Sequence, residues 1–177
     1  TERFSIALVY GNDLDDLINN KKTVQDIYNS NYRFPPPPKK PTMTAVPGDG
    51  KVTLYWDRVA EESLDPVTKE KDFQGYKIYR ATDPNFNDVR NITDANGLIQ
   101  GYSTLAQFDK KDEIKGYFYP SKSLFQDTKG YSYYLGDDSG LIHSHVDNDV
   151  QNGRTYYYAL VAYDHGDQEK DIFPSEN

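Results

Sequence analysis

The sequence predicts a mainly β chain whose larger part is a β-sandwich or barrel, and three observations point there. Segments 51–57, 73–80 and 155–164 each alternate apolar and polar side chains with a period of two, the habit of a half-buried strand. A cluster of turn formers, Pro47-Gly48-Asp49-Gly50, separates the first of these from another extended stretch at 42–46. Sixteen Tyr and eight Phe supply most of the bulky surface available for burial, and tyrosine suits a pleated strand with its ring packed and its hydroxyl wet.

Taken in order, residues 1–11 read as a strand that is apolar on both faces, since Phe4, Ile6, Leu8 and Tyr10 alternate with Ser5, Ala7 and Val9. Such a strand needs cover on both sides, and the next segment is helical. It is therefore expected to be the terminal strand of a preceding β-domain, or to belong to a partner's. Residues 12–33 read as an amphipathic helix: Asn12 or Asp13 can cap it, Asp15 and Asp16 suit its dipole, and Leu14, Leu17, Ile18, Val24, Ile27 and Tyr28 form one stripe. That stripe is expected to dock on a neighbouring domain. Residues 34–41, with four consecutive prolines followed by Lys39, Lys40 and Pro41, form a stiff linker that cannot continue the helix. From 42 to 177 the chain reads as strands and turns. Val52, Leu54 and Trp56 share one face, Tyr76 and Ile78 another, with Lys77 and Tyr79 opposite; Tyr156, Tyr158, Leu160 and Ala162 share a third.

The residues PTMTAVPGDGKVTLYWD, then FQGYKIYRA, then NGRTYYYALVAYD resemble the fibronectin type III family in order and spacing. Trp56 stands near the end of the second strand, Tyr76 in the tyrosine-rich third, and Tyr156 where the family places its corner tyrosine, whose hydroxyl bonds back to the preceding loop. The resemblance implies an immunoglobulin-like sandwich over 42–177, with two departures. The stretch of about 82–141 is a long insertion, and the last strand is expected to be missing after Asn177. In large secreted bacterial proteins such modules act as spacers or as adhesion and assembly elements, so an extracellular or cell-surface location is implied.

The charge of −8 repels phosphate backbones and argues against nucleic acid, and no apolar run approaches the ~20 residues of a membrane-spanning helix. The start lacks the basic region and cleavage site of a signal peptide. With no cysteine, disulfides, thiolate metal sites and Cys nucleophiles are excluded. Three histidines remain: His143 and His145 share a strand face and read as exposed, a two-imidazole metal site being the alternative, and His165 reads as a solvated turn residue. No catalytic residue and no certain cofactor are assigned. Calcium is the cation the acidic loops would take, at Asp147 and Asp149 or at Asp83 and Asp88, although the EF-hand pattern fails at Gly153 and Tyr158. The insertion's tyrosines, Tyr102, Tyr117, Tyr119, Tyr131, Tyr133 and Tyr134, are expected mainly to pack a subsidiary core, with a sugar-stacking platform as the other reading. The expected function is a non-catalytic structural or interaction module that spaces or assembles neighbouring domains or other copies, in its sharper form a filament built by strand addition. The alternative is a carbohydrate-binding accessory module of a secreted polysaccharide-active enzyme.

Overall fold

The computed structural model describes residues 6–29, 36–65, 69–89, 91–93, 99–119, 132–168 and 172–177. Helix α1 (Leu14–Asn29) starts where the sequence expects it. Asp13 Oδ1 accepts from the Asp16 N–H at 2.9 Å, and Asp16 Oδ2 accepts from the Asn12 N–H at 2.7 Å, so one amide of the first turn and one ahead of it each find a carboxylate acceptor. Residues 6–10 carry no ladder pairing among the described residues; a strand there would need a partner for its amides.

Two antiparallel three-stranded sheets carry the rest. The first is ordered β1 (Met43–Gly48), β2 (Lys51–Trp56) and β9 (Ser144–Asp147). The second is ordered β10 (Tyr157–Asp164), β3 (Phe73–Ala81) and β6 (Ala106–Asp109). Gly48 pairs with Lys51 across the turn, where Gly50 takes a φ of +61°, a left-handed conformation that glycine adopts without steric cost. The inward residues of β2 and of β3 and β10 meet: Leu54 and Trp56 pack with Phe73, Tyr76, Ile78, Leu160 and Ala162 in one core. Trp56's ring lies 5.9 Å from that of Tyr76 and 6.0 Å from that of Phe108. The two sheets thus face each other across a shared core, in the manner of a β-sandwich.

The stretch of about 82–141 is not wholly external to this body. Its β6 pairs with β3, from Gly75↔Asp109 to Ile78↔Ala106, as an edge of the second sheet. Two small hairpins flank it, β4 (Asn91–Thr93) with β5 (Ile99–Tyr102), and β7 (Gly116–Tyr117) with β8 (Tyr134–Gly136). Phe118, Tyr133 and Leu135 form a second, smaller core with Tyr163 of β10, flanked by Ile114 and Phe173; of the insertion tyrosines expected to pack such a core, Tyr133 does so, whereas Tyr102, Tyr117 and Tyr119 are exposed. Tyr131 lies outside the described residues. Residues 172–177 run antiparallel along the free edge of β10, through the isolated bridge Tyr163↔Glu176 and the Asp164 N–H to Ser175 O bond at 3.1 Å. Asn177 Nδ2 donates to Pro38 O at 2.6 Å, and the Lys39 N–H donates to Ser63 Oγ at 2.7 Å, which fastens the end of the proline linker to the sandwich. No helix among the described residues is long and apolar enough to cross a membrane.

An acidic corner precedes β3. Asp164 accepts from the N–H groups of Gly166 and Ser175, both at 3.0 Å, and from the Ser175 hydroxyl at 2.6 Å, fixing the turn after β10. Burial raises the Asp164 carboxyl against those bonds. Burial, and then the Asp164 charge, push Asp72 up to about 6 from an ordinary 3.8. A carboxyl whose folded pKa lies above its unfolded one favours the fold when protonated, so its contribution is present below about pH 4 and is lost as pH rises through about 6. Asp72→Asn is therefore expected to stabilise the chain by about 1 kcal/mol near pH 7.5, a figure reduced for partial exposure, and to do little near pH 4. Thermal melts of both proteins at the two pH values check this; an equal shift at both would remove the charge from the explanation.

Candidate functional site

Because Tyr76 and Ile78 point into the core, Lys77 and Tyr79 of β3 point outward, where a lysine ordinarily reaches water. Here the second core covers the face, and Lys77 is buried. Its ammonium lies 3.1 Å from Glu176 Oε2, 3.6 Å from the centre of the Tyr133 ring and 4.9 Å from that of Tyr163. Burial pulls Lys77 below the usual lysine range, and Glu176 works against that fall. The same carboxylate accepts from the Tyr79 hydroxyl at 3.1 Å and from the Tyr133 hydroxyl at 2.5 Å. Burial, and then Glu176, hold the Tyr133 hydroxyl far above the ordinary tyrosine range, which keeps it a donor. Tyr163 donates to Leu135 O and accepts from Gln107 Nε2 at 2.8 Å. The buried ammonium is tolerated because Glu176, itself partly exposed, matches its charge and hydrogen-bonds it.

Beside this network a cleft of about 260 Å³ opens over the outer face of the second sheet. Lys77, Tyr79 and Gln107 line it together with Glu176, whose side chain is 30% exposed. The β4–β5 hairpin contributes Tyr102, edge-on to Tyr79 with ring centres 6.3 Å apart. The β7–β8 hairpin contributes Tyr117 and Tyr134, 5.1 Å apart and tilted. Ser103, Thr104 and Ser132 complete the wall with hydroxyls. What this arrangement can do chemically is hold a small polar molecule: it offers ring faces, hydroxyls and a charge pair already neutralised within the protein.

The acidic residues read as calcium candidates stand elsewhere and have other partners. Arg80 Nη1 reaches Asp147 Oδ1 and Oδ2 at 3.0 and 2.9 Å, while Nη2 reaches Asp149 Oδ2 at 2.9 Å, so a guanidinium lies against both carboxylates. Asp147 also accepts from the Tyr158 hydroxyl at 2.8 Å and the Asp149 N–H at 3.0 Å. Burial would raise this carboxyl, but Tyr158, the Asp149 amide and Arg80 together hold it below the usual carboxylate range. Asp88 accepts from the Thr82 hydroxyl and amide at 2.6 and 2.7 Å, and Asp83 from the Asn85 amide at 3.1 Å and Asn87 Nδ2 at 2.5 Å, which closes the turn after β3 on itself. Among the described residues no group of three or more His, Asp or Glu side chains comes together in a way that could hold a metal.

His143 and His145 share a face, and it is the inner one. His143 pairs with Glu61 of the 3-10 turn Val59–Glu62, a carboxylate that also accepts from the Tyr76 hydroxyl at 3.1 Å, and His145 lies 5.8 Å from the Phe108 ring. They are half-buried rather than exposed, while Ser144 between them and Val146 after them face out. Trp56 and Tyr76 are core residues. The Gln151 N–H donates to the Tyr156 hydroxyl at 3.0 Å, tying the loop before β10 to the strand that follows. Sequence reasoning gave no site role to Lys77, Gln107 or Glu176; a lysine between Tyr76 and Ile78 in an alternating strand was the one available signal, and Glu176 carried none. Comparison with protein-family models, with curated proteins and with solved structures finds no match for the chain.

Proposed function

We propose that the chain is a fibronectin type III-like, non-catalytic interaction module of an extracellular or cell-surface multidomain protein, which spaces or assembles its neighbours. The type III-like part of this reading is supported by the grouping of strands into two facing sheets, by Trp56 at the end of β2 and by the bond of Tyr156 to the Gln151 amide. One observation carries the interaction role. Ahead of the sandwich, Ile6 is 87% and Leu8 78% exposed, and Tyr10, Leu14 and Ile18 are exposed as well. Large apolar side chains left to solvent in one stretch of chain mark a place where another structure docks. Residues 6–10 alternate as a strand would, so the partner that fits them is an open sheet edge, supplied by another copy of the chain or by an adjoining β-domain.

Sedimentation analysis of the intact chain, of residues 41–177 alone and of the double variant Ile6→Asp/Leu8→Asp tests assembly between copies. The intact chain is expected to gain mass with concentration, and both altered forms to stay monomeric at the same concentrations. A single monomeric species for the intact chain at the highest attainable concentration counts against assembly of copies, as would association that survives removal of residues 1–40.

A further inference from the structure

The cleft between the two hairpins has chemistry of its own, separate from docking through residues 6–18. We propose that it binds a neutral sugar ring, presented as the end or an internal unit of an oligosaccharide. Tyr102 and Tyr117 line it and remain 43% and 52% exposed, although each already touches another ring of the cleft. Exposed ring faces held in place by a neighbour are what the C–H face of a pyranose packs against, at small entropic cost because tyrosine has few rotatable bonds.

Charge narrows the ligand further. Among the described residues the one cation of the lining is Lys77, and it is spent on Glu176 and on two rings, so it leaves no free positive partner of its own for an anion such as phosphate or a uronate. The chain's net charge of −8 opposes acidic polymers as well. A lipid or an apolar peptide is disfavoured by the polar lining, where Gln107, Ser103, Thr104 and Ser132 would lose water without replacement. A polyhydroxylated neutral molecule replaces those bonds, and Glu176, still 30% exposed, can accept from its hydroxyls. At about 260 Å³ the cleft lies just under the range of drug-sized sites, which suits one ring and part of the next.

The test uses the intact chain, titrated by calorimetry with cellohexaose, xylohexaose, mannohexaose and chitohexaose, and with an oligo-uronate as the acidic counterpart. At least one neutral hexamer is expected to bind with a Kd of about 1 mM or tighter, and the oligo-uronate to bind more weakly. Tyr102→Ala and Tyr117→Ala are each expected to weaken binding about tenfold, Tyr117→Phe to retain it because the ring face persists, and Tyr119→Ala, outside the lining, to leave it unchanged. Both target rings are exposed, so the variants should keep the wild-type melting temperature, which is measured alongside. Binding of none of the four neutral hexamers, preference for the oligo-uronate, or binding that is insensitive to both alanine variants would each overturn the proposal.

Discussion

Gly75→Ala is expected to destabilise the chain by about 3 kcal/mol, lowering the melting temperature by roughly 6–12 °C for a chain of this size. Gly75 stands in β3, the central strand of its sheet, paired with Asp109 of β6 on one side and Tyr163 of β10 on the other. A Cβ built there would lie 2.4 Å from the Phe108 carbonyl oxygen, 2.8 Å from the Tyr163 hydroxyl and 3.0 Å from the Asp109 Cα. Two of those three atoms are backbone, so relief requires that β6 move off β3, and β6 is held by Asp109, whose carboxylate accepts from the Asp138 N–H at 2.6 Å and the Ser139 N–H at 3.0 Å. Gly48→Ala is the control, because its Cβ would come closest to the flexible side chain of Lys51 at 3.1 Å and meet the Lys51 carbonyl oxygen only at an ordinary 3.6 Å, so it should change stability by less than about 0.5 kcal/mol. Chemical denaturation of the three proteins decides the matter; a Gly75 variant as stable as the Gly48 variant would contradict the packing described here.

Asp147→Ala should cost about as much, roughly 3–4 kcal/mol, for an electrostatic reason. The substitution removes the acceptor of two Arg80 bonds and of the Tyr158 hydroxyl, and so takes away a link between β9 in one sheet and β3 and β10 in the other. Asp149→Ala, which breaks the exposed half of the same fork, is expected to cost at most about 1 kcal/mol. Because Asp147 is held below its ordinary pKa in the fold, its charged form contributes stability above about pH 4, and that contribution drains away as pH falls through the lower folded value. The gap between wild type and Asp147→Asn should therefore narrow in acid. A gap that stays constant down to pH 2.5 would mean that the carboxylate's charge is not what holds the sheets.

Strands β2, β3 and β10 were legible in the sequence because their buried positions carry Leu54, Trp56, Tyr76, Ile78, Leu160 and Ala162 at every second place. The helix start was legible because Asp13 is a side chain that caps, and the Tyr156 contact because it is local. The segment of β9 was legible as a strand but its facing was not, since hydropathy there runs backwards: His143, His145 and Asp147 face inward and Val146 faces out. Those polar residues are admitted to the interior by partners distant in sequence, Glu61 and Arg80, which no local pattern announces. β6 is four residues long, too short for a period to show, and its place in the sheet is decided by pairing with β3. The cleft escaped for the same reason. Its tyrosines were noticed as a group, but the lysine and glutamate beneath them, Lys77 and Glu176, come from opposite ends of the sandwich sequence and become neighbours only when residues 172–177 lie along β10.

That placement also sets the order in which the chain can become ordered during synthesis. The β1–β2 hairpin closes across a two-residue turn and is available early, yet β2 waits for β9, pairing Val52 with Asp147, and β3 waits for β10, pairing Tyr76 with Ala162. Closing loops of that length precedes any return from the contacts they permit, so folding is governed by a late, long-range encounter rather than by the strands made first. Until β10 has left the ribosome, the core lacks Leu160 and Ala162 and one edge of β3 stands unpaired, and the acidic charge of the emerging chain helps to keep it apart from other chains.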